Sequence, residues 1–171
     1  LGGEIVFIPA RQPPHKPGHR LAPDADRLAM LRLALAELPG ATVSSLELDR
    51  TGPSYTMDTL AQMRQRHPDR RLLFLMGMDS LAALHTWHRA SEWVPAQEFI
   101  VYPRPGIARP ALATLASHFG EAAARRLLAS VIDLPQRDIA ASDIRRRIAD
   151  GNSISGLVPE AVERYIAERH L

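Results

Sequence analysis

Apolar positions along this chain alternate between short unbroken runs and longer stretches with helical spacing. Residues 4–9 (Glu-Ile-Val-Phe-Ile-Pro) are a continuous apolar run, which predicts a strand buried on both faces. A proline-rich loop follows from Ala10 to Pro23. Leu28, Leu31, Leu35 and Leu38 then line one side of a helix predicted over 24–38. A strand is predicted over 42–48 and a helix over 56–66, led in by Ser54 and Thr56. Leu72 to Met76 reads as a second short buried strand. A helix from about Ser80 leads to the turn at Thr86-Trp87, and another short helix ends near Pro95. Phe99 to Tyr102 is a strand, the Ala/Leu-rich stretch 110–129 is helical, and Val131 to Leu134 is a strand. Two helices, 143–149 and 159–169, complete the pattern. Strands alternating with helices imply an α/β domain with one mostly parallel sheet and helices on both faces. Residues 1–171 fit a single domain of ordinary size.

Composition narrows the chemistry. The chain contains no cysteine, which excludes disulfides, thiolate zinc and cysteine nucleophiles. Net charge is only +2, and Lys16 is the only lysine, so the basic character comes from arginine. That modest excess suits small anions as well as nucleic acid and does not choose between them. Scattered arginines without interleaved aromatics argue against a nucleic-acid face. No apolar run approaches the ~18 residues of a membrane span, and no signal-peptide pattern is present, so no membrane association is expected and the cytoplasm is the expected compartment. Leu1-Gly2-Gly3 reads as the C-cap of a preceding helix, which raises the expectation of an upstream strand and helix.

Candidate chemistry lies where loops leave the carboxyl ends of the strands, since ligands bind there in parallel sheets. Pro13-Pro14-His15-Lys16-Pro17 presents His15 and Lys16 on a stiff loop. A rigid surface loop would look the same. Gly77-Met78-Asp79-Ser80 follows the strand at 72–76: Gly77 permits close backbone approach and Asp79 can accept ribose hydroxyls. A plain strand-to-helix turn with Asp79 as its N-cap is the alternative. Tyr102-Pro103-Arg104-Pro105-Gly106 fixes Arg104 between prolines, as a surface turn also would. Trp87 is a loop aromatic able to stack on a flat ring, or a core residue. Ser54-Tyr55-Thr56 opens a helix whose free N–H groups can hold a carboxylate, or is an ordinary cap. In Ile139 to Ile148, Ser142 reads as a hydroxyl N-cap, and Arg145, Arg146 and Arg147 crowd the first turns. Cations are unfavourable at a helix N-terminus unless an anion arrives, so a phosphate site and a solvated arginine face compete as explanations.

In their order and spacing these segments resemble the bacterial nicotinate mononucleotide adenylyltransferases. Ile8-Pro9-Ala10 to Pro13-Pro14-His15-Lys16 resembles that family's I-P-x-x-x-P-P-H-K loop, and Pro53-Ser54-Tyr55-Thr56 its P-S-Y-T. Gly77-Met78-Asp79-Ser80 resembles its G-x-D-S, and Arg104-Pro105-Gly106 its R-P-G. Thr86-Trp87-His88 resembles its T-W segment, without the second aromatic: Ser91 follows and Trp93 comes late. Ile139 to Arg147 resembles its I-S-x-T/S-x-I-R-x-R, with Ala140 for the usual serine. The resemblance spans essentially the whole chain. The family's opening strand and its G-G-T-F-D-P-x-H-x-G-H loop, whose histidines meet the ATP phosphates, have no counterpart. His15-Lys16-Pro17-Gly18-His19 echoes it only superficially.

The resemblance implies a Rossmann-like nucleotidyltransferase fold. It implies adenylyl transfer from ATP to nicotinate mononucleotide, giving nicotinate adenine dinucleotide and pyrophosphate in NAD biosynthesis. His15, Lys16 and Arg145 would be catalytic. Gly77, Asp79, Ser142, Ile144 and Arg145 would bind ATP, and Tyr55, Thr56, Trp87, His88 and Arg104 the nicotinate nucleotide. Mg²⁺ would arrive with ATP and not in a protein cage. The partners are the two substrates, with a homo-oligomer left open. Without the histidine loop, residues 1–171 alone are expected to be unstable and inactive. The alternatives are an inactive nucleotide-binding homologue and another adenylyltransferase of the same superfamily, such as the pantetheine-phosphate enzyme.

Overall fold

Four short parallel strands and eight helices follow one another among the described residues of the computed structural model, which are 3–14, 21–135 and 139–171. In chain order these elements are β1 (Ile5–Phe7), α1 (Asp24–Leu35), β2 (Ala41–Val43), α2 (Thr56–Arg66), β3 (Leu73–Gly77), α3 (Met78–Ala83), α4 (Ala90–Trp93), β4 (Glu98–Tyr102), α5 (Leu112–Phe119), α6 (Glu121–Ala129), α7 (Ala141–Ala149) and α8 (Glu160–Arg169). Short 3₁₀ turns at Leu84–Thr86 and Val94–Ala96 flank α4. The chain divides into two compact units, Leu1–Ser54 with Ile139–Leu171, and Tyr55–Asp138.

In the first unit β1 pairs with β2 in parallel, Ile5 opposite Ala41 and Phe7 opposite Val43, with α1 as the crossover. Ladder bonds continue past the strands: Ile5 N–H donates to the Gly40 carbonyl at 2.7 Å and Ser44 N–H to that of Phe7 at 2.9 Å. Helix α8 is tied to α1 through the buried carboxylate of Asp26, which accepts from the Tyr165 hydroxyl at 2.8 Å and from Arg169 Nε at 3.3 Å.

The second unit holds the larger apolar core. Its sheet is β3 against β4, in register from Leu73 opposite Glu98 to Gly77 opposite Tyr102. Leu81, Leu84, Val94, Val101 and Leu127 are fully buried. Each such side chain contributes roughly 1.5–3 kcal/mol of transfer free energy. Phe74, Trp93 and Phe99 meet edge-on or tilted with ring centroids 6.1–6.4 Å apart, geometry that ring quadrupoles favour.

Several predicted elements change on folding. One sheet is predicted; the described strands form two parallel two-stranded sheets, β1–β2 and β3–β4, one in each unit. Burial on both faces fails with it: Ile5 keeps 46% of its surface exposed, Leu73 36% and Leu75 46%. The strand predicted over 42–48 stops at Val43, because Ser44 Oγ accepts from Leu46 N–H and the Ser45 hydroxyl donates to Asp49, replacing ladder bonds with local ones. Helix 24–38 ends at Leu35, since Leu38 precedes Pro39 and is disfavoured in helical backbone. The stretch 110–129 is two helices: Gly120, at φ 82°, takes a conformation that interrupts the first and opens the second. The strand at 131–134 reduces to one bridge, Val131 to Val101.

Candidate active site

Parallel pairing brings the last residues of β3 and β4, Gly77 and Tyr102, side by side, so the segments leaving the two strands converge at one sheet end. Gly77 is also the residue from which α3 starts. Asp79 lies in the first turn of α3, where partial positive charge favours a carboxylate. Its Oδ1 stands 3.3 Å from Arg104 Nε, with both side chains nearly half exposed. The Arg104 guanidinium carbon lies 5.9 Å from the centroid of the Tyr102 ring. Hydrogen bonding to Tyr102, and then the charge of Asp79, raise the Arg104 pKa above its ordinary value, against partial burial. The bare backbone of Gly77 makes the arrangement feasible: a Cβ there would stand 2.4 Å from Asp79 Oδ1, 3.1 Å from Arg104 Nε and 3.3 Å from Tyr102 Cζ. Asp79 is therefore not the N-cap of α3; it belongs to a carboxylate–guanidinium pair seated over a glycine.

The aromatic candidates form a second group in the same unit. Tyr55, the residue preceding α2, stacks on His88 with centroids 3.9 Å apart and planes 20° apart. Thr56 is the first residue of α2. Trp87 is half-buried, edge-on to Phe74 at 6.0 Å and tilted to Trp93 at 6.3 Å. It belongs to the rim of the core as well as to the candidate site. The next residue but one, Arg89, has left-handed backbone at φ 50° and ion-pairs with Glu92, its Nε 2.7 Å from Oε1. Trp93, too late in the chain to match the T-W segment, donates its indole N–H to the His88 carbonyl at 3.3 Å. It supports the backbone of the residue that stacks on Tyr55. An indole donor to a backbone carbonyl leaves no trace in the order of residues.

In the first unit, α7 starts at Ala141 after an extended Ala140. Ser142 is thus inside the first turn, not the N-cap as its hydroxyl predicts, and no side chain caps this helix. Asp143 and Ile144 N–H groups donate to the Ala140 carbonyl at 3.0 and 3.2 Å, so the Ile144 amide already closes the first turn. The three arginines separate by partner. Arg146 pairs with Asp143 at 2.8 Å and Arg147 donates to the Ser153 carbonyl at 3.4 Å, whereas Arg145 is exposed and has no carboxylate partner among the described residues.

Ser54 does not cap α2 either. It is buried, and its Oγ accepts from the Arg11 and Gln12 N–H groups at 3.0 and 3.3 Å while its own N–H donates to the Gln12 carbonyl at 3.0 Å. The serine of the P-S-Y-T segment thereby fixes the start of the proline loop. His15 and Lys16, further along that loop, lie outside the described residues. Among the described residues no group of three or more His, Asp or Glu is placed to hold a metal ion, and no helix is long and apolar enough to cross a membrane.

Residues 1–147 match the cytidylyltransferase-like family. Proteins named "probable nicotinate-nucleotide adenylyltransferase" are similar over 98% of this chain. That of Thermomicrobium roseum is 43% identical, with 76% of its length covered. That of Frankia alni is 40% identical with 84% covered, and that of Symbiobacterium thermophilum 39% identical with 79% covered. Among solved structures, the Plasmodium falciparum nicotinic acid mononucleotide adenylyltransferase complexed with NaAD superposes with a TM-score of 0.77 over 98% of this chain and 82% of its own; at 18% identity this likeness speaks for the fold. With identity of this level spread over nearly the whole sequence, the chain is a nucleotidyltransferase that belongs to the cytidylyltransferase-like family and, within it, to the nicotinate-nucleotide adenylyltransferases.

Proposed function

We propose that this chain transfers the adenylyl group of ATP to nicotinate mononucleotide, releasing pyrophosphate and forming nicotinate adenine dinucleotide for NAD biosynthesis. The observation that carries the reading is the meeting of Asp79 and Arg104 over Gly77 at the carboxyl ends of β3 and β4. A hydroxyl-accepting carboxylate and an anion-binding guanidinium within one hydrogen-bond length suit two nucleotides that must be joined.

In this reading the mononucleotide phosphate attacks the α-phosphorus of ATP in line, and its new P–O bond replaces the bond to pyrophosphate. No protein nucleophile is required; positioning and charge stabilisation supply the rate. Asp79 accepts ribose hydroxyls of ATP, and Gly77, with no Cβ, leaves the room in which Asp79 is seated to receive them. Arg145, Ser142 and the first turn of α7 hold the triphosphate, and His15 and Lys16 join them as the family's P-P-H-K motif implies. Mg²⁺ enters with ATP as part of the substrate and offsets its charge. Arg104 binds the mononucleotide, Trp87 meets its pyridine ring, and N–H groups near Thr56 and His88 meet its carboxylate.

The test is pyrophosphate release from ATP, Mg²⁺ and nicotinate mononucleotide, run with this chain and with a form extended at its N-terminus. Dinucleotide formation by either form supports the reading. Folded protein that yields none in both forms overturns it.

A further inference from the structure

The Asp79–Arg104 pair joins a group assigned to one substrate with a group assigned to the other, and each is the other's ion-pair partner. We propose that this ion pair is a gate that each substrate opens from its own side, so that ATP and nicotinate mononucleotide bind with positive coupling. The proposal rests on the adenylyl-transfer reading and adds an interdependence that the reading does not require.

Three features make exchange the natural behaviour of the pair. First, it is wet: the Arg104 and Asp79 side chains are 43% and 47% exposed, so separating them costs little. Second, Asp79 is not the only group against Arg104: in the same arrangement the Tyr102 ring lies 5.9 Å from its guanidinium carbon, so the cation keeps a neighbour when the carboxylate leaves. Third, Asp79 has no such additional neighbour on the Gly77 side, where its Oδ1 already occupies the space of a missing Cβ. A carboxylate held by a guanidinium has less to offer a ribose hydroxyl, and a guanidinium held by a carboxylate less to offer an anion. Mononucleotide binding takes Arg104 and leaves Asp79 to ATP; ATP binding takes Asp79 and leaves Arg104 to the mononucleotide. The coupling is reciprocal by thermodynamic necessity. Its sign is diagnostic, because two anions in one cleft would otherwise repel and weaken each other's binding.

The experiment is calorimetric titration of the ATP analogue with a methylene bridge between the α and β phosphorus, with Mg²⁺, alone and with saturating nicotinate mononucleotide. In the wild-type chain the mononucleotide should tighten analogue binding about two- to fivefold, the range an exposed pair supports. Arg104→Ala should bind the analogue alone more tightly than wild type by a similar factor, and mononucleotide at any concentration should add nothing. Asp79→Asn should likewise lose the coupling seen from the mononucleotide side. A wild-type chain that binds both ligands with no coupling or with mutual weakening overturns the gate and leaves adenylyl transfer standing. So does coupling that survives Arg104→Ala. A folded wild-type chain that binds neither ligand, with or without the N-terminal extension, removes both. Thermal melts of the two variants, expected to match wild type because both side chains are nearly half exposed, separate these outcomes from misfolding.

Discussion

The Tyr165 hydroxyl donates across 2.8 Å to Oδ1 of Asp26, joining residues 139 positions apart and locking α8 onto α1. Asp26 is 3% exposed, so its carboxylate depends on this bond and on Arg169 for compensation. Asp26→Ala should lower stability by about 1–3 kcal/mol, as expected for losing a buried charged acceptor and its two partners. The pH dependence arises from Tyr165. Hydrogen bonding to Asp26, then partial desolvation and the charge of Asp26, raise its pKa above the ordinary tyrosine value. A raised folded-state value means the contribution is fully present below the unfolded value of about 10 and is lost as pH rises through the folded one. Urea midpoints of wild type and Tyr165→Phe should therefore differ by a constant amount below roughly pH 9 and converge above it. A gap that widens with alkalinity would reverse the sign and refute the account.

Gly77→Ala tests the seat under Asp79. The backbone at Gly77, φ −80° and ψ 163°, is open to any residue, so the substitution carries no conformational strain. Its Cβ meets Asp79 Oδ1 at 2.4 Å, the mobile end of a half-exposed side chain. Asp79 should move and the fold should stay. The expected result is a melting temperature within about 4 °C of wild type, with ATP binding weakened about tenfold, the effect of losing one charged hydrogen bond. Loss of the fold would show that Gly77 serves packing and not the ligand.

How far the sequence carries to the structure depends on the range of the interactions concerned. The proline-punctuated segment Pro103-Arg104-Pro105 stands outside strand and helix where the pattern puts it, because its backbone preferences are local, whereas Gly77-Met78-Asp79 is no turn: β3 runs through Gly77 and α3 starts at Met78. Hydroxyl side chains misled for a related reason. Ser54 and Ser142 have the local chemistry of N-caps, yet Ser54 is engaged by Arg11 and Gln12, more than forty residues away, and α7 starts before Ser142 reaches a capping position. The apolar runs at β1 and β3 predicted burial from composition alone. Exposure of Ile5, Leu73 and Leu75 depends on which strands pair and what covers them, information that a single run of residues does not hold. The Asp79–Arg104 pair was invisible for the same reason: each residue belongs to its own loop in the sequence, and strand register alone brings them together.

Arg145 should be the arginine of α7 that matters for ATP. Arg146 and Arg147 are occupied by Asp143 and the Ser153 carbonyl, while Arg145 has no carboxylate partner among the described residues. Arg145→Ala should weaken ATP binding by about 1.5–3 kcal/mol, the range for a charged hydrogen bond. Arg146→Ala, which removes only an exposed ion pair, should shift it by under ~1 kcal/mol. Equal losses in the two variants would point to a general electrostatic field and not to a specific phosphate contact.

The choice of pyridine nucleotide should be set by the group around Tyr55, His88 and Trp87. A site that offers N–H donors to a carboxylate leaves them poorly paired with an amide, and unpaired donors are what make such discrimination large. This site is partly open, with Tyr55 and Trp87 half-buried and His88 exposed, so water can partly satisfy those donors. The kcat/KM ratio of nicotinate over nicotinamide mononucleotide should therefore be at least about 10², below the ~10⁴–10⁵ of sites sealed from water. Trp93→Phe keeps the aromatic packing but removes the donor to the His88 carbonyl. It should raise KM for nicotinate mononucleotide and lower the ratio while leaving KM for ATP unchanged. Trp87 needs a gentler probe than alanine, because its contacts with Phe74 and Trp93 tie it to the core. Trp87→Phe should retain the fold and cost affinity for the mononucleotide alone. Equal turnover of the two mononucleotides by a folded, active chain would contradict the assignment of this group to the nicotinate ring.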